Sequence, residues 1–180
     1  QVEKHFAEES SLITRIEALE KKLETSQLAI GTTEGAATTK PGKKPKGRKA
    51  LIQHAKDLTK AGKINEARGV YREVIRKWPK KPGTTDEAYF RLGELYYQKG
   101  KYQSALQEYI KIADKFPKGV YADDAYFRIG ICSIQIGNLE DAQVFFQAVI
   151  TDHPKSPLVK ASKAKLKTIK KRLKKEGKKR

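Results

Sequence analysis

The chain has 180 residues, of which 38% are hydrophobic, so it can bury one modest core but not two large ones. Its formal net charge of +18 points to an anionic partner. The single cysteine, Cys132, excludes an intramolecular disulfide and with it the disulfide-stapled class of small secreted domains. No stretch approaches the roughly 20 apolar residues that a membrane-spanning helix needs.

The first 30 residues are predicted to form a coiled-coil oligomerisation helix. Apolar residues recur there at steps of 4, 3 and 4, which is a heptad stripe: Leu12, Ile16, Leu19 and Leu23. Because such a stripe is costly to expose, we expect a homo-oligomer. The alternative is a single amphipathic helix that docks on the folded domain.

Residues 31–47 are rich in Gly and Thr and end in a cluster of Lys and Pro. They have no apolar period, which predicts a flexible basic linker. The folded domain is therefore expected to begin at residue 48.

The remaining chain repeats itself. Residues 86–119 align with residues 123–156, so that Gly93 pairs with Gly130 and Ala105 with Ala142, each at an offset of 37. A more degenerate copy precedes them at an offset of 38. Constant offsets of this kind indicate a repeat architecture.

The repeated landmarks predict paired helices. Small residues recur where two antiparallel helices must approach closely, glycines recur where the first helix ends, and a proline ends each unit. We therefore predict an all-α array of about three helical hairpins over residues 48–156. A capping helix is predicted over 157–175, with Leu166, Ile169 and Leu173 on one face, followed by a basic tail over 176–180.

The spacing resembles the tetratricopeptide repeat, a unit of helical hairpins that binds partners on its concave face. The resemblance covers residues 48–156. It departs at His54, Ala55 and Ser133, where other residues are usual in the family. The resemblance implies a groove for a peptide or helix of a partner protein, lined by Lys56, Lys60, Phe90, Glu94, Tyr97, Gln98, Phe127, Ile131 and Ile134.

The third repeat leaves two interpretations of this groove. Its apolar residues Phe127, Ile131 and Ile134 either meet a partner or are already covered by the capping helix or a neighbouring subunit. For Phe90 and Tyr97 we favour partner binding, because we expect nothing in the packing of the hairpin to require them.

Positive charge is concentrated in two blocks. Residues 40–82 and 155–180 each carry a net charge of +12, whereas residues 83–154 carry −3. The blocks form a solvated face, attract nucleic acid, or contact an anionic polymer or membrane surface. Because the block at 155–180 has no aromatic residue, a specific nucleic-acid site is not expected.

No pattern in the sequence predicts chemistry. The three histidines, His5, His54 and His153, fall in different segments, so neither a metal site nor a cofactor is expected. Cys132 sits mid-helix between Ile131 and Ser133, which predicts a small buried side chain and not a reactive thiol. We therefore expect that the protein is not an enzyme.

The order of heptad helix, linker, hairpins and short final helix resembles a bacterial family of Tol-Pal-associated cell-division coordinators (CpoB, also called YbgF). The local likeness is clearest over residues 88–130 and 152–173. The resemblance implies a periplasmic protein that trimerises through its N-terminal coiled coil. It also implies binding to the Tol system's inner-membrane-anchored helical protein, TolA, and a role in coordinating outer-membrane constriction with peptidoglycan synthesis.

The competing function is that of an adaptor whose lysine-rich arms bind a polyanion and whose repeats act as a spacer. The two differ in which part of the chain carries the affinity. A signal peptide upstream of Gln1 would distinguish the compartments, and we expect it to lie outside this sequence.

Overall fold

The computed structural model describes residues 45–177, so the predicted coiled-coil residues Leu12, Ile16, Leu19 and Leu23 lie outside the described part. Within it the chain forms seven helices. They are α1 (Arg48–Lys60), α2 (Ile64–Lys77), α3 (Thr85–Gln98), α4 (Tyr102–Lys115), α5 (Ala122–Gln135), α6 (Leu139–Asp152) and α7 (Val159–Gly177). No strand occurs among these residues, which confirms the all-α prediction.

The helices pair as three hairpins, α1–α2, α3–α4 and α5–α6, and each helix packs against the one that follows it. Short turns connect the two helices of each hairpin. At Gly100 and Gly137 the backbone has φ values of 70° and 87°, which side-chain-bearing residues rarely adopt. The glycines therefore end the first helix and turn the chain into the second.

The close approach of the hairpin helices depends on two glycines. The fully buried ring of Tyr109 lies against Gly93, and the ring of Phe146 lies in the same way against Gly130. An added Cβ would sit only 2.5 Å from Tyr109 Cε1 and 2.8 Å from Phe146 Cζ. The small residues predicted at these positions are therefore required by an aromatic ring from the second helix.

The apolar core runs from hairpin to hairpin. Buried residues of α1 and α2 form one cluster with Ala88, Leu92 and Leu95 of α3. Other residues of α3 share a second cluster with α4 and α5. A third cluster joins α6 to Leu166 and Ile169 of α7, which are both buried. The last helix thus closes the array, since its apolar face covers what the third hairpin would otherwise expose.

No helix within residues 45–177 is long and apolar enough to cross a membrane.

Candidate functional site

The first helices of the hairpins lie side by side and form one face of the array. Two ion pairs cross between them. The Lys56 ammonium on α1 lies 2.5 Å from a Glu87 carboxylate oxygen on α3, and the Arg128 guanidinium on α5 lies 2.9 Å from Glu94 on α3. Because residues of α1, α3 and α5 meet in this way, the three helices form one continuous surface, here called the first-helix face, which carries the predicted groove residues other than the buried Phe90.

Glu94 stands at the centre of this face. It accepts a hydrogen bond of 2.5 Å from the Tyr109 hydroxyl with one oxygen, and one of 2.9 Å from Arg128 Nη2 with the other. Burial raises the pKa of the Tyr109 phenol well above its ordinary value, and the hydrogen bond to the Glu94 carboxylate raises it further. Hydrogen bonds to a charged group are the stronger kind, so Glu94 holds the second and third hairpins at a fixed spacing.

Tyr97 lies one turn beyond Glu94 and is half-buried. Its ring packs edge-on against Tyr102 at a centroid distance of 5.3 Å, and the Arg128 guanidinium lies 5.3 Å from the ring centre. The residue thereby offers part of an aromatic surface next to a cation, while Gln98 beside it is exposed. A partner segment with both apolar and acidic side chains could use this combination.

Phe90 differs from the expectation. Only 9% of the side chain is exposed, and its ring contacts those of Tyr109 and Tyr121 at centroid distances of 5.6 and 5.2 Å. The premise that hairpin packing does not require this ring is therefore wrong. The physical reason is the segment before α5, whose Tyr121 folds over Phe90 and takes the space that a partner would need.

The third hairpin supplies the apolar part of the face. Phe127, Ile131 and Ile134 are half-buried, and all three pack against the cluster to which α7 contributes Leu166 and Ile169. Helices α6 and α7 together supply the cluster that buries part of each side chain. The remaining exposed surface is still available to a partner.

The face is basic at its start and mixed in the middle. Lys60 is exposed on α1, and Lys56 is half-buried by its pairing with Glu87. Further along, Asp124 lies beside Asp123, and burial, together with that neighbour, raises the pKa of the Asp124 carboxyl. The surface therefore changes charge along its length.

Helix α7 extends the face beyond what the sequence interpretation included. When the offset of 37 is applied once more, Ile131, Ile134 and the exposed Gln135 correspond to Thr168, Lys171 and Arg172, which are all exposed. The apolar stretch is thus followed by a second basic end. The repeat spacing itself was the signal that could have identified these residues.

The described residues offer nothing with the geometry of a reactive centre. Cys132 is fully buried, and burial raises the pKa of its thiol to about 12, so it stays protonated at neutral pH. Between residues 45 and 177 no three His, Cys, Asp or Glu side chains gather where they could hold a metal ion. What the face can do is contact another chain.

Comparison with known proteins identifies the repeats. Two family models, each described as a tetratricopeptide repeat, match residues 52–120 and 98–166. No curated protein sequence matches the chain closely enough to count as a relative.

Three solved structures illustrate the similarity of fold. PcrH of Pseudomonas aeruginosa, in complex with the chaperone-binding region of PopD, has a TM-score of 0.58 at 20% identity over 69% of this chain and 91% of its own. The Yersinia enterocolitica translocator chaperone SycD has a TM-score of 0.56 at 23% identity, over 71% of this chain and 85% of its own. The first repeat domain of Spaghetti (RPAP3), bound to an HSP90 peptide, has a TM-score of 0.57 at 18% identity, over 70% of this chain and 92% of its own. At these identities the likeness shows the fold alone.

Proposed function

Because the chain is built of tetratricopeptide repeats, we propose that it is a non-enzymatic scaffold of the bacterial cell envelope that holds a segment of a partner protein on its first-helix face. The observation that carries this proposal is the continuous surface formed by Tyr97, the paired Arg128 and the half-exposed Ile131 and Ile134. A surface of this composition suits a peptide or helix that combines apolar and acidic residues.

The structural neighbours support the general mode of action. PcrH carries a region of PopD, and the Spaghetti domain carries a peptide of HSP90. In both cases a helical-hairpin array of similar size binds a segment of another protein. We extend this mode to the present chain.

The finer role rests on the family resemblance of the sequence. We propose that the partner is TolA, the helical inner-membrane-anchored protein of the Tol system. The chain would then act in the periplasm as a homo-oligomer, and it would couple outer-membrane constriction to peptidoglycan synthesis during division.

Calorimetric titration of the full chain with the purified periplasmic part of TolA tests this proposal. The test variant combines Tyr97→Ala with Ile134→Ala. We expect it to bind at least about tenfold more weakly, because central apolar residues carry most of the energy of an interface. Phe90 is left unchanged, since its truncation would damage the packing of the hairpin.

The matched control combines Ile110→Ala with Val144→Ala. These side chains are 42% and 63% exposed on the second helices α4 and α6, away from the first-helix face. The control should bind like the unaltered chain. If the unaltered chain does not bind TolA, the Tol assignment is wrong. If both variants lose affinity equally, the first-helix face is not the binding surface.

A further inference from the structure

The last helix carries a row of lysines that the groove does not use. Lys163, Lys167, Lys170 and Lys174 are spaced 4, 3 and 4 residues apart, so they lie on one side of α7, and all four are exposed. The row spans about 16 Å at 1.5 Å per residue. No salt bridge involves these four lysines within the described part of the chain.

The position of this row follows from the repeat. At the offset of 37 the first three lysines correspond to Tyr126, Gly130 and Ser133 on α5, the side of α5 that receives α6. There, Gly130 admits the ring of Phe146. Within residues 45–177 no helix packs on the same side of α7, and the small residues that permit close approach are replaced there by long cations.

This substitution argues against a protein helix as the occupant. A helix could not approach α7 as closely as α6 approaches α5, because Lys167 stands where the glycine is needed. The row also offers no apolar side chain on which a helix could pack. What the row offers is electrostatic attraction and not an apolar packing surface.

The composition also disfavours nucleic acid. The row contains neither an aromatic residue for stacking nor an arginine for bidentate phosphate contacts, and α7 as a whole has a single arginine, Arg172, which lies toward the first-helix face. A straight row of lysine point charges is suited to a flat surface of dispersed negative charge.

We propose that the lysine row of α7 docks the array on the surface of a membrane that contains anionic phospholipids. The docking is peripheral, because the apolar side of α7, with Leu166 and Ile169, is buried in the core and cannot enter the lipid. The row and the first-helix face are different sides of α7, so a docked array keeps its partner surface open.

Co-sedimentation of the full chain with vesicles tests the proposal. Vesicles of phosphatidylcholine alone are compared with vesicles that contain one third phosphatidylglycerol. We expect the unaltered chain to bind only the anionic vesicles, and to bind less as salt rises. Replacing Lys163, Lys167, Lys170 and Lys174 with Gln should weaken binding by about 600-fold, since each of the four lysines near an anionic surface contributes roughly fivefold.

The matched control replaces Lys80, Lys81, Lys99 and Lys118 with Gln. These lysines are also exposed, so the control has the same net charge as the test variant but keeps the row. It should bind within about threefold of the unaltered chain. Equal loss in both variants, or binding to neutral vesicles, would overturn the proposal.

A duplex DNA of 20 base pairs, measured at the same salt, provides the other arm. Tighter binding of DNA than of anionic vesicles, lost only in the row variant, would assign the row to nucleic acid and reject the membrane. Because the first-helix face is unchanged in the row variant, its TolA titration separates failure of this proposal from failure of the scaffold function.

Discussion

The second and third hairpins share a pattern of residues but are joined to their neighbours by different forces. At one position of the first helix the second hairpin has Glu94, which bonds Tyr109 and Arg128, whereas the third has Ile131, which packs toward α7. At the matching position of the second helix, Tyr109 is replaced by Phe146. One junction is therefore polar and directional, and the next is apolar.

The difference has a physical consequence for the array. A buried polar junction stabilises only when each group keeps its partner, because an unpaired buried group is expensive. An apolar junction tolerates small shifts more readily. The spacing of the second and third hairpins, and with it the middle of the first-helix face, is thus the more rigidly defined of the two.

The largest loss of stability is expected when a methyl group is added to either of the glycines that lie against an aromatic ring. Gly93→Ala should lower the free energy of unfolding by about 3 kcal/mol and Gly130→Ala by about 2 kcal/mol, as overpacking does in a tight core. Tyr109 is the less able to move away, because Glu94 holds its hydroxyl. Urea unfolding followed by circular dichroism measures both. A larger loss at Gly130 would contradict the view that the polar junction is the more rigid.

A smaller effect is expected from making the second hairpin like the third. Tyr109→Phe removes one hydrogen-bond donor to Glu94, which still accepts a hydrogen bond from Arg128. The free energy of unfolding at pH 8 should therefore fall by about 1.5 kcal/mol.

The effect of this change should depend on pH. The pKa of Tyr109 is raised in the folded state, so its contribution is complete below the unfolded pKa of about 10 and declines above it. Above pH 10 the free energy of unfolding of the unaltered chain should fall by about 1.4 kcal/mol per pH unit because of Tyr109. The variant lacks the phenol and should not show this loss. The stability difference between the two should therefore narrow between pH 8 and pH 11. A constant difference in urea unfolding over that range would show that the phenol ionises equally in both states.

The hairpins and their small residues could be predicted from the sequence, since Gly93, Gly130 and the turn glycines recur at a constant spacing. The pairing of Glu94 with Arg128 could not, because it joins residues 34 apart and depends on how successive hairpins rotate. The burial of Phe90 also escaped prediction, because Tyr121 covers it from a connecting segment that follows no period. The end of the first-helix face on α7 follows from the sequence as well, because the offset of 37 also relates α5 to α7.

The smallest effect concerns the carboxylates at the start of α3 and α5. Asp123 accepts a hydrogen bond of 2.6 Å from the Ser156 hydroxyl. The corresponding Asp86 is fully buried, and neither of its oxygens has a hydrogen-bond partner among the described residues, since Gly119 stands where the serine would be. Gly119→Ser supplies that hydroxyl. Its backbone φ lies outside the left-handed region, so a side chain is tolerated there.

Gly119→Ser should raise the free energy of unfolding only modestly, because the new Cβ is crowded. It would lie 3.0 Å from Asp86 Oδ2 and 3.0 Å from the Phe116 carbonyl oxygen, so the loop must shift by a few tenths of an ångström. A hydrogen bond from the serine hydroxyl to Asp86 outweighs this strain, and we expect the free energy of unfolding to rise by about 0.5 kcal/mol. Gly119→Ala is the matched control, because it adds the same Cβ without the hydroxyl and should be less stable than the original by about 1 kcal/mol. If the serine variant is no more stable than the alanine variant, Asp86 does not accept a hydrogen bond from residue 119. The sites at Asp86 and Asp123 would then differ by more than one missing hydroxyl.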